Sequence, residues 1–239
     1  MQKMESDGFE PNEELVPDEA NGEFRCYSLI ISGSTVARSW LQLAPETGGE
    51  GWQIRTWSEV PANDCGEAKT MRSVHTMSAE GTLLSYRFEE ARRSIFIERR
   101  GDHYVFSNTQ YVISEVEADP AEFFLEDNNF AAMSGLFAMR QAMHKPEGTL
   151  RVLPESAYET IELEIETRGQ SVSFCGLNLN CDSRGFILSG AAPGQDVRIE
   201  MRPVPLPHKL TQPLFLGAKS NMELFPVRHE ELTISSDFG

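Results

Sequence analysis

From Phe24 onward, apolar and polar residues alternate in short runs broken at glycines, the pattern of consecutive antiparallel hairpins. Phe24 to Ile31 and Thr35 to Leu43 flank Ser32-Gly33-Ser34, and Trp52 to Trp57 follows the Gly48-Gly49-Glu50-Gly51 loop, which predicts a three-strand meander. The unit recurs in Thr70 to Met77, Leu83 to Phe88, Ser94 to Glu98 and Tyr104 to Ser107, with turns at Ala79-Glu80-Gly81 and Gly101-Asp102; Tyr111 to Val116 continues it. Sequential antiparallel strands usually pair, so one sheet growing by neighbours is expected.

After Asp119-Pro120 the period changes. Phe130, Met133, Leu136, Phe137, Met139, Ala142 and Met143 fall at helical spacing, predicting a helix at about 128–144, capped by Asp127 or Asn128 and ended by Lys145-Pro146. With Ala131, Ala132 and Ala138 added, it is apolar around most of its circumference and must be enclosed.

Strands then return. Ile161, Leu163 and Ile165 alternate with Glu162, Glu164 and Glu166, so one face of that strand meets water. Val172 to Phe174, Leu177 to Cys181, Phe186 to Leu188 and Val197 to Met201 complete the set. Beyond Pro203, the prolines at 203, 205, 207 and 213 preclude a central strand, because each lacks the N–H a ladder needs. Val227 to Ser235 reads as one more edge strand.

The expected fold is therefore mainly β: a long antiparallel meander curled as a half-barrel or open barrel around one apolar helix. Its organisation reads as an acidic tail over 1–23, a β domain over 24–202 and a proline-rich arm or linker over 203–239.

Composition narrows the function. The chain has 239 residues, 40% of them hydrophobic, enough for a sizeable core, and no apolar run of the ~20 residues that span a bilayer. It does not read as an integral membrane protein. A formal charge of -16, from 21 basic and 37 acidic residues, repels phosphate backbones, so no nucleic-acid partner is expected. Much of that charge lies in the tail, where eight acidic residues from Glu5 to Glu23 face only Lys3. Met1 is followed by no apolar signal segment. That leaves a cytoplasmic protein, or a periplasmic one if this is a mature form.

Chemistry-bearing residues are scattered. Cys26, Cys65, Cys175 and Cys181 lack zinc-ribbon spacing and read as small core residues. His75, His103, His144, His208 and His229 never approach a metal-ligand spacing. Ser34, Ser134 and Ser189 sit beside glycines but not in a nucleophile elbow. His229-Glu230-Glu231 sets an imidazole beside two carboxylates without a nucleophile or metal. No catalytic residue, metal or cofactor is expected. The more informative residues are Phe130, Met133, Phe137 and Met143 on the helix, as the wall of a site for a lipid or other apolar ligand. Methionine adapts to varied apolar shapes; ordinary packing of helix on sheet is the competing reading.

The Tyr27-Ser28-Leu29-Ile30-Ile31-Ser32-Gly33 hairpin, the Ser78-Ala79-Glu80-Gly81 turn into Tyr86-Arg87-Phe88, and Leu179-Asn180-Cys181-Asp182-Ser183-Arg184-Gly185 followed by a strand resemble the half-barrels of LolA- and LolB-type lipoprotein carriers and related secreted proteins. That resemblance implies an apolar concavity able to hold acyl chains. It transfers no functional residues, and this chain shows neither a lipobox cysteine nor a signal segment. Residues 227–237 also resemble the strand that opens an α/β-hydrolase domain, which implies an N-terminal accessory domain of a larger enzyme. A protein-interaction domain, its partner docked along the 203–239 arm or a sheet edge, is the alternative to a ligand carrier.

Overall fold

The computed structural model describes residues 22–45, 51–60, 69–90, 93–107, 112–117, 119–125, 129–154, 159–191 and 198–203. Residues 1–21 of the expected acidic tail, the arm beyond Pro203, the 227–235 strand, Cys65, His208 and His229 lie outside them; Glu23, expected in the tail, opens the first strand. The described strands are β1 (Glu23–Ile31), β2 (Ser34–Pro45), β3 (Gly51–Val60), β4 (Lys69–Ser78), β5 (Leu83–Glu90), β6 (Arg93–Arg100), β7 (His103–Ser107), β8 (Val112–Glu117), β9 (Phe123–Leu125), β10 (Gly148–Pro154), β11 (Ile161–Arg168), β12 (Ser171–Phe174), β13 (Leu177–Cys181), β14 (Ile187–Ala191) and β15 (Arg198–Pro203). Among the described residues one helix, α1 (Phe130–Ala142), lies between β9 and β10.

All fifteen strands form one curled, unclosed sheet in the order β8-β7-β6-β5-β4-β3-β2-β1-β15-β14-β13-β12-β11-β10-β9. β1 sits at its centre, so the chain builds one arm outward to β8, crosses to the far edge, and builds the other arm back to β15 beside β1. Every pairing is antiparallel except β9 with β10, where α1 supplies the crossover that parallel strands need.

β9 and β10 escape the alternation pattern for a physical reason. Phe123 and Phe124 are both buried, because β9 is covered on both sides and so reads as a continuous apolar run. The segment entering β9 crosses the inner face of the first arm. There Leu83 N–H donates to the Ala121 carbonyl at 2.8 Å, and Tyr104 Oη accepts from Ala121 N–H at 3.0 Å.

The pleat separates two faces. Tyr27, Leu29, Leu41, Leu43, Ile54 and Met77 point inward to the main core around α1. A second cluster, including Tyr86, Phe88, Ile97, Tyr104 and Phe124, fills the first arm. The helix begins at Phe130 because Asn129, rather than Asp127 or Asn128, caps it: its side chain accepts from Ala132 N–H at 3.1 Å. It ends before the expected 144, where His144 turns left-handed at φ 59°.

Ten consecutive helical residues, Ala131 to Arg140, are buried. The fit is close where Gly135 meets the sheet: a β-carbon there would lie 2.6 Å from Ile54 Cγ2. Ser134, fully buried, accepts the Ile187 N–H at 2.9 Å and lies 3.4 Å from the Tyr27 hydroxyl, which ties helix to both arms of the sheet.

Candidate functional site

Phe130, Met133 and Phe137 recur at i, i+3 and i+7 and share one face of α1. Met133 and Phe137 are buried, and Phe137 meets Phe174 of β12 edge to face with centroids 5.4 Å apart. Phe130 is half-buried and packs on the main core. Met143 lies past the last helical residue, as the helix's C-terminal cap, and like Phe130 packs against the main core. With Met139 it faces the β4–β5 turn, where a β-carbon on Gly81 would sit 3.1 Å from Met143 Cε and 3.7 Å from Met139 Cε. The structure thus brings three of the four predicted residues together and sets the fourth at the helix end.

That end adjoins an open cleft of about 510 Å³ lined by Glu80, Thr82, Glu122, Arg140, His144, Lys145, Pro146, Glu147, Thr149 and Arg151. Glu80 and Thr82 flank Gly81, and His144 follows Met143, so the apolar helix end and the polar cleft share a rim. The hydrophobic pattern could not reveal this cleft, because its lining comes from three separated loops and strands. Arg140 at its base is almost wholly buried; it donates to Glu122 Oε2 at 2.5 Å and to the Glu147 carbonyl at 3.2 Å. Such a pair costs desolvation and needs both partners in place.

Burial favours the neutral form of several interior groups. His75 is fully buried, its Nε2 3.0 Å from the Phe124 carbonyl, and burial pushes its pKa down to about 4. It is therefore neutral at pH 7. Burial pushes the Tyr27 hydroxyl up to about 12, the Cys26 thiol up to about 11 and the Cys181 thiol up to about 12. The chain turns at Cys175 and Gly176, leaving Cys175 exposed; it and Cys181 are both free thiols. His103 pairs with Asp102 on the surface at 2.5 Å. Among the described residues no group of three or more His, Cys, Asp or Glu is arranged to hold a metal ion. Among them, too, no helix is long and apolar enough to cross a membrane.

The early tryptophans divide between the two faces. Trp52 packs toward the main core. Trp40 and Trp57 stack on the outer face with ring centroids 4.5 Å apart.

No family model matches this chain, and no curated protein matches it. Among solved structures it is similar to a β-barrel-like protein of domain of unknown function DUF1849 from Brucella abortus. That likeness has a TM-score of 0.43 and 10% identity, covering 77% of this chain and 96% of that one. A DUF1089 family protein from Pseudomonas aeruginosa has a TM-score of 0.37 and 14% identity, covering 65% and 89%.

Proposed function

We propose that this chain is a non-catalytic binding protein whose curled sheet holds an apolar ligand, a lipid or the acyl part of a lipoprotein, against α1. The observation that carries this reading is the shared rim at the end of the helix, where the methionine-bearing apolar interior meets an open cleft. Met143 is the entry. Phe130, Met133 and Phe137 form the inner wall, and methionine supplies the adaptable surface an acyl chain needs. The neutral, buried state of His75 and the buried cysteines offers no activated nucleophile or base, which supports binding over catalysis.

A fluorescent polyene fatty acid titrated into the protein tests it. Saturable binding is expected, weakened tenfold or more by Met143→Lys with unchanged far-UV circular dichroism. No binding to the unsubstituted protein would sink the carrier reading.

The close fit at Gly135 favours a second reading, in which α1 is permanent core and the chain is a protein-interaction domain. Its partner would dock along the 203–239 arm or the outer edge of β8, and the domain would serve as an accessory to a larger enzyme of the α/β-hydrolase type. Removing the residues after Pro203 should then abolish association while the sheet stays folded.

A further inference from the structure

The cleft beside Met143 opens where the two arms of the unclosed sheet come to one rim. Glu80 and Thr82 reach it from the β4–β5 turn, Thr149 and Arg151 from β10, and the residues ending α1 lie with them. Among the described residues β9 pairs with β10 only from Val152 to Pro154, which leaves the Thr149 stretch of β10 as sheet edge.

The lining carries three cations, Arg140, Lys145 and Arg151, and three carboxylates, Glu80, Glu122 and Glu147. One pair is internal: Arg140 and Glu122 neutralise each other at the base. The other four do not pair. Among the described residues neither Lys145 nor Arg151 forms an ion pair, although Glu162 stands opposite Arg151 in register. Glu80 accepts instead from the Ser78 hydroxyl at 2.8 Å, and Glu147 from the Thr167 hydroxyl at 2.9 Å. Arg140 Nε, buried at the base, is a further donor with no hydrogen-bond partner among the described residues.

We infer that this cleft takes the zwitterionic head group of a lipid, a phosphate joined to an ammonium, while the acyl chain enters past Met143. The inference rests on the carrier reading and adds the class of head group. Charge decides between the candidates. A purely anionic head meets Glu80 and Glu147, on a protein whose formal charge is -16. A purely cationic head meets Lys145 and Arg151. A zwitterion answers both: its phosphate accepts from Lys145 and Arg151, and its ammonium donates to Glu80 and Glu147.

The test titrates the full chain by calorimetry with two lysophospholipids that share a lauroyl chain, one with an ethanolamine head and one with the anionic glycerol head. Both are kept below their micelle-forming concentrations. The ethanolamine lipid should bind about tenfold more tightly, and Arg151→Ala or Glu147→Gln should each weaken it about fivefold. Glu80→Lys combined with Glu147→Lys should turn the preference toward the glycerol head, with far-UV circular dichroism unchanged.

Equal affinity for the two heads, or a preference that survives both lysine substitutions in folded protein, overturns the inference and leaves the carrier reading standing. Free phosphoethanolamine binding as tightly as the lipid overturns it too, because the site would then take a soluble zwitterion. Failure of both lipids in protein that still takes up the polyene fatty acid overturns the head-group inference alone. Failure of all three overturns the carrier reading with it.

Discussion

The imidazole of His75 lies flat on the ring of Phe123, with centroids 4.2 Å apart and planes 3° apart. Its Nε2 faces the Phe124 carbonyl, and Tyr86 tilts against its other side with centroids 4.5 Å apart. This histidine from β4 therefore joins the first arm of the sheet to β9, the strand that carries the chain across to the second arm.

The position of His75 makes stability fall in mild acid. Its folded pKa, about 4, lies below the ordinary value of 6.5, so between those values the unfolded chain takes up a proton that the folded chain refuses. The contribution is intact above pH 6.5, is lost progressively as pH falls toward 4, and amounts to about 3 kcal/mol. Urea titrations of the protein and of His75→Gln across pH 4 to 7 check this. The variant should show a flatter pH dependence over that window; equal slopes would contradict the account.

Gly135 is where helix and sheet approach too closely for a methyl group. Gly135→Ala gains up to ~1 kcal/mol of helix propensity but drives a β-carbon into Ile54 Cγ2, and overpacking costs about 1–3 kcal/mol. A net loss of about 1–2 kcal/mol is expected in thermal melts. Adding Ile54→Ala should make the pair less destabilising than the sum of its parts.

Removing the Ser134 hydroxyl leaves the buried Ile187 N–H without its acceptor. Ser134→Ala should cost about 1–3 kcal/mol in chemical denaturation, despite alanine's better helix propensity. Ser134→Thr, which retains an acceptor, separates loss of the bond from loss of fit.

At the base of the cleft, Glu122→Gln strands the Arg140 cation among buried atoms. About 3 kcal/mol should be lost, more than with Arg140→Met, which removes the buried charge and leaves Glu122 nearer to water. Comparing the denaturation midpoints of the two variants decides the order.

Much of this architecture was legible along the chain. The hairpins of the first arm follow from alternation and glycine turns, and Leu163 and Ile165 face inward while Glu162 and Glu164 face water, as their spacing requires. β9 and β10 were not legible. Phe123 and Phe124 do not alternate, because crossing strands cover both of their sides, and a parallel pair has no hairpin turn to announce it. Within the candidate site, helical spacing set Phe130, Met133 and Phe137 on one face but gave no sign that Met143, beyond the last turn, adjoins a polar cleft whose lining begins at His144. The stack of Trp40 on Trp57 on the outer face was not legible for a similar reason: alternation separates two faces without saying which one packs on the helix.

The carrier reading stands or falls on what the purified protein holds. Native mass spectrometry of freshly purified protein, followed by denaturing mass analysis and solvent extraction, asks this directly. The account predicts a near-stoichiometric apolar molecule that leaves on denaturation. An unliganded native mass with nothing released, from protein that also fails to take up the polyene fatty acid, would contradict it and leave the interaction domain as the better reading.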